Sequence, residues 1–176
     1  MKVIEGFDLI SEAGEAKKLP AGPQICKIIE VIDIPDKEYL DVYFDVSEGE
    51  YKGYFTTLFG ITNKNYGRIT RSYKTNALPF FKAFTTAVEK SNPGYKWDWN
   101  EKGLAGKTCV VVFRDEEFEV DGEVKVRAVP DEFRSLDALK TGKIQTKPMK
   151  KLERTASVES TVPPAPVELK DDELPF

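Results

Sequence analysis

The sequence predicts a mostly β fold with one helix, in the order β-β-β-α-β-β, closed into a five-stranded barrel and followed by a disordered acidic tail. Three observations lead there. Apolar and polar residues alternate with period two through parts of residues 24–59 and again over 108–129, the mark of half-buried strands. Between them, residues 77–91 carry apolar side chains at helical spacing. From Glu153 onward the apolar content collapses, and such a chain buries too little surface to offset its ordering entropy. The 176 residues thus divide into a barrel domain over 1–143, a flexible proline-containing linker over 144–170 and a tip over 171–176.

The turn signal Pro20-Ala21-Gly22-Pro23 introduces the first strand, residues 24–34, rich in Ile and Val and broken by Pro35-Asp36. The second, 38–47, alternates strictly. It sets Leu40, Val42, Phe44 and Val46 on a core face and Tyr39, Asp41, Tyr43 and Asp45 on a wet one. Residues 51–59 form the third, with Gly53 permitting a bulge or bend. The following stretch, 60–75, lacks strong periodicity and reads as an exposed, mobile loop. Asn76 is placed to cap a helix over 77–91 that turns Leu78, Phe81, Phe84 or Thr85, and Val88 to one side. Phe80 is assigned to the core with them, and Asn92-Pro93-Gly94 stops the helix. Tyr95, Trp97 and Trp99 either plug the base of the barrel or extend a stacking platform. Strand four is 108–113, and residues 116–129 make a hairpin. A three-residue loop, Asp121-Gly122-Glu123, would align Val120 with Val124 and Phe118 with Val126, so that register is predicted. A five-stranded barrel with its helix between strands three and four has the order of the OB-fold, which often binds oligonucleotides, although fold alone does not establish function.

Charge is distributed unevenly. The whole chain carries −4, yet residues 1–51 carry −7, 52–107 carry +7, 108–152 are neutral and 153–176 carry −4. From Tyr51 to Val88 there is no Asp or Glu in 38 residues. Cations and aromatic rings interleave in that window, as single strands require: phosphates attract cations and unpaired bases stack on flat rings. The candidate contacts are Lys52, Phe55, Lys64, Tyr66, Arg68, Arg71, Tyr73 and Lys74.

Much catalytic chemistry is excluded by composition, since the chain has no histidine. Imidazole acid/base catalysis, His-ligated zinc and His-dependent nucleophile systems all need one. Cys26 and Cys109 lie in apolar runs and read as core residues. Gly106-Lys107-Thr108 ends like a phosphate-binding loop, but the leading glycine is replaced by Glu101 and a β run follows where a helix is required. Glu123 and Lys125, with Asp115 or Asp121, resemble the core of a metal-dependent nuclease, though the expected register makes them solvated hairpin charges. No cofactor or metal is expected. The N-terminal residues contain no long apolar run, so a cytoplasmic location without a membrane segment is expected.

The chain ends Asp171-Asp172-Glu173-Leu174-Pro175-Phe176, acids followed by two hydrophobes around a proline. A spacer ending in a charged, apolar tip has the form of a tethered peptide ligand. This ending resembles that of bacterial and phage single-stranded DNA-binding proteins, which close on an acidic run and Ile-Pro-Phe. The body looks closest to divergent members from phage replication modules. The resemblance implies an OB-fold that coats single-stranded DNA without catalysis, and a tip that recruits replication, repair or recombination proteins. It leaves a homo-oligomer open. The alternative is a nuclease or other DNA-processing enzyme using the same tail for docking.

Overall fold

The computed structural model of the chain describes Val3 and residues 17–153. Strand β1 (Gly22–Ile34) is central because it serves two neighbours. Gly22–Lys27 pairs with β4 (Thr108–Val120) and Cys26–Ile34 with β2 (Tyr39–Val46), both antiparallel. A bulge between Ile28 and Glu30 explains the irregular apolar pattern in this run. Ile29 and Glu30 both face outward, Val31 returns to the core, and the strand bends from one partner toward the other.

β3 (Arg68–Ser72) lies beyond β2, and β5 (Glu123–Arg134) lies beyond β4, giving the order β3-β2-β1-β4-β5. The two edges approach one another where the Arg71 guanidinium donates to the Asp131 carbonyl at 3.0 Å. The result is a nearly closed, antiparallel, OB-like barrel. Helix α2 (Leu78–Ser91) comes between β3 and β4 and buries Phe81, Phe84, Thr85 and Val88. Asn92 ties its end to β4: the side-chain amide donates to the carbonyls of Val88 and Thr108 at 2.7 Å each, and its oxygen accepts from Thr108 N at 3.0 Å. The expected stop signal is thus also a tertiary clamp.

The core is aromatic. Phe44 contacts Phe55, Phe113 and Phe133 edge-on at 5.6–6.2 Å, and Phe84 meets Phe133 at 4.5 Å. Leu40, Val42, Phe44 and Val46 all face inward as their alternation predicts. Cys26 and Cys109 sit opposite one another in this core as free thiols, and burial pushes both well above the usual thiol range.

The structure corrects several local expectations. Residues expected as the third strand form helix α1 (Tyr54–Thr62), and the third strand is β3, inside the segment read as a mobile loop. Among the described residues there are therefore three α-helices rather than one, the last being the short α3 (Leu136–Lys140). Residues 54–62 are rich in strand formers, so their helicity comes from tertiary contact. Gly53, at φ 75°, precedes the helix and has no side chain with which to cap it. Asp45 on β2 supplies that cap, accepting from the amides of Phe55 at 2.9 Å and Thr56 at 3.0 Å.

Asp45 and Asp41 are consequently buried rather than wet, Asp41 accepting from the Thr70 hydroxyl at 2.7 Å. At α2, the N-cap is Ala77 without a side-chain bond, and Asn76 makes no cap. Phe80 is 73% exposed rather than in the core.

The hairpin register also differs. Val120 pairs with Glu123, Glu119 with Val124 and Phe118 with Lys125, around a two-residue turn at Asp121 and Gly122. Both turn residues have positive φ, the geometry an Asp-Gly pair favours. Matching apolar faces could not set the register here. Val120, Val124 and Val126 are 39%, 42% and 44% exposed, so the outer hairpin has no core to satisfy and the turn decides.

Candidate nucleic-acid interface

A groove of about 850 Å³ lies between α1, the connection into β3 and the outer β4–β5 hairpin. Its walls bring aromatic rings and cations together. Tyr54 comes from α1, Tyr66 and Arg68 from the connection and the start of β3, Phe118 and Arg127 from the hairpin, and Lys18 from the segment leading to β1. The Arg127 guanidinium sits over the Phe118 ring at 4.9 Å and is 4.0 Å from Glu116 Oε1. Asp115 also lines the groove.

Gly67 holds the connection close to the barrel. A Cβ at Gly67 would lie 2.4 Å from the Phe44 carbonyl oxygen and 2.8 Å from the Phe55 ring, so only glycine fits. Its carbonyl in turn accepts from Phe44 N at 2.9 Å. Beside it, Arg68 remains exposed, and the Tyr43 hydroxyl together with the Asp41 carboxylate favours its charged form.

The sequence-derived residues separate into distinct places. Tyr66 and Arg68 line the groove, and Lys64 is exposed on the same connection. Lys52 is exposed in the turn before α1. Phe55 is 6% exposed and packs on Phe44 and Phe113, so it supports the groove floor and offers no free face. Arg71 points inward over the Phe133 ring at 5.0 Å. Burial pushes its guanidinium down to about 10, against the pull of Asp131 and Glu132, leaving it charged at neutral pH and engaged in closing the barrel.

Tyr73 and Lys74 lie past the far end of β3. The Tyr73 hydroxyl donates to Asp33 at 2.8 Å, a bond that pushes it up to about 12, and its ring packs on Phe81. Lys18, Tyr54, Phe118 and Arg127 are not among the candidate contacts read from sequence, although Tyr54 lies in the acid-free window. Phe118 and Arg127 belong to a segment of zero net charge whose acids mask them in any linear count.

Neither a protein-family model nor a characterised protein sequence matches the chain. The chemistry must therefore be read from the site itself. Lys107 lies over the Tyr95 ring at 4.7 Å and Thr108 begins β4, so the phosphate-loop-like residues adjoin no helix N-terminus. Glu123 and Lys125 are 3.9 Å apart on exposed side chains at the hairpin end. Among the described residues, no group of three or more Cys, Asp or Glu is arranged to hold a metal ion, and no helix is long and apolar enough to cross a membrane.

Residues read as the start of the linker run beside the groove wall. Lys150 N donates to the Asp115 carbonyl and Lys150 O accepts from Glu117 N, both at 2.9 Å. Leu152 N donates to the Glu117 carboxylate at 3.1 Å. The tip, Asp171–Phe176, lies outside the described residues.

Proposed function

We propose that this chain is a non-catalytic, sequence-tolerant binder of single-stranded DNA that recruits replication, repair or recombination proteins through its C-terminal tip. The groove carries the reading, because it combines three aromatic rings with three cations on an OB-like barrel. Duplex DNA has its bases stacked inside and offers no face to Tyr54, Tyr66 or Phe118, whereas an unpaired strand supplies both bases and phosphates. The basic window explains how an acidic protein attracts a polyanion: local potential governs encounter more than net charge does.

Titration with single-stranded and duplex oligonucleotides tests the proposal. With Lys18, Arg68 and Arg127 of the groove and the neighbouring Lys64 on phosphates, log affinity for single strands should fall against log salt with a slope of about −3. Tyr66→Ala and Phe118→Ala should each weaken binding by about 1–3 kcal/mol while duplex binding stays weak. Salt-independent binding, or equal affinity for duplex, would overturn the reading. Magnesium-dependent cleavage of the same oligonucleotides, abolished by both Glu123→Ala and Lys125→Ala, would replace it with the nuclease.

The tip has its own expected result. Adding one residue after Phe176 keeps every acid but moves the terminal carboxylate away from the ring that a partner pocket would hold. Recruitment of purified replication or recombination proteins should be lost while single-strand affinity is retained. Undiminished recruitment would reduce the tip to a solubilising end.

A further inference from the structure

A second aromatic surface lies at the other end of β3 and is not part of the groove. Trp99 is 75% exposed, and its backbone has φ 65°, a conformation unfavourable for a bulky L-residue. Neither an exposed indole nor a left-handed backbone helps the fold. The surrounding loop nevertheless holds it in place. Glu89 accepts from Trp97 N at 2.8 Å, Asp98 accepts from Asn100 N at 3.2 Å, and Asn100 accepts from Lys102 N at 3.1 Å. The indole lies nearly parallel to Phe81, 6.5 Å away at 21°, which supports its inner face and leaves the outer one in solvent.

We infer that Trp99 is a second base-stacking contact for a single strand that continues out of the groove along β3. This rests on the proposed function. The path follows from the topology: Arg68, which lines the groove, begins β3, and Tyr73 and Lys74 follow its last residue about 17 Å away. Between them, Thr70 and Ser72 share the outward face with Arg68. Tyr73 then packs edge-on against Phe81 at 5.9 Å, the ring beneath Trp99. β3 and the following residues to Val88 contain no acid, and Lys74 and Lys82 are exposed; the carboxylates that meet the path from neighbouring strands, Asp41 at Thr70 and Asp33 at Tyr73, each accept a hydrogen bond. Asp98 and the Lys96–Glu89 pair at 3.7 Å border the indole, so its contribution is stacking rather than phosphate attraction.

The chain has two tryptophans, and the other, Trp97, packs against the core with its ring 6.0 Å from Trp99, so variants that keep only one indole separate them. Oligothymidylate of about 20 nucleotides should quench the native chain and Trp97→Phe but not Trp99→Phe. Trp99→Gly, which suits the left-handed backbone, should weaken the long oligomer by roughly 5- to 100-fold and leave one of about 5 nucleotides unaffected, with no lowering of the unfolding midpoint. Retained quenching in Trp99→Phe, or native affinity in Trp99→Gly, overturns the second contact while leaving the groove reading intact. Failure of the native chain to bind either length overturns both.

Discussion

Phe44→Ala is expected to lower the free energy of unfolding by about 3–5 kcal/mol, the range for removing a large ring from a packed core. Phe44 is 1% exposed and touches three other phenylalanines edge-on, so no neighbour can close the gap without giving up its own contacts. Stability of a domain this size is typically about 5–15 kcal/mol, so the loss would take much of it. Urea unfolding should show a reduced midpoint with a similar slope. A loss under about 1 kcal/mol would show that the barrel collapses around the missing ring. Phe44→Leu, which refills part of the volume, should fall between the two.

Asp45→Ala should cost about 2–4 kcal/mol, and through a different mechanism. One Asp45 oxygen accepts from Val46 N and Phe55 N, the other from Thr56 N and the Thr56 hydroxyl. Alanine would strand buried donors and remove a negative charge from the positive end of α1. Asp45→Asn keeps one acceptor oxygen and presents an amide to the remaining donors, so the expected stability order is Asp, then Asn, then Ala. Amide exchange at Phe55 and Thr56 should accelerate in the same order. Because α1 contributes Tyr54 to the groove, single-strand affinity should fall with helix protection. Unchanged protection in Asp45→Ala would show that α1 stands on packing alone.

These two residues also show why some elements were legible in sequence and others were not. Phe44 belongs to a strand whose faces differ so sharply that alternation alone assigns its direction. Asp45, its immediate neighbour, was read from the same alternation as solvated. Its partner is ten residues away and becomes a partner only after the chain turns back, so no local pattern reports the bond. The same hidden contact explains why 54–62 was expected as a strand: propensity is local, while capping from β2 is not.

For the site, composition singled out the basic-aromatic window, and Tyr66 and Arg68 within it line the groove. It could not distinguish Arg68, which faces out, from Arg71, which turns in over Phe133. The facing wall, Phe118 and Arg127, belongs to another part of the chain.

The sequence by itself determined four of the five strands, the helix that precedes strand four, the inward face of β2 and the acid-free window, but it set the third strand at 51–59, where the chain forms α1. Each depends on the period or charge of adjacent residues, which operates within one element. Tertiary structure alone decided the helicity of α1, the hairpin's outer register, the burial of Asp41 and Asp45, and which cations meet at one groove. Those outcomes depend on groups distant in sequence meeting at hydrogen-bonding or van der Waals range, and such contacts have no energy until the barrel has brought them together.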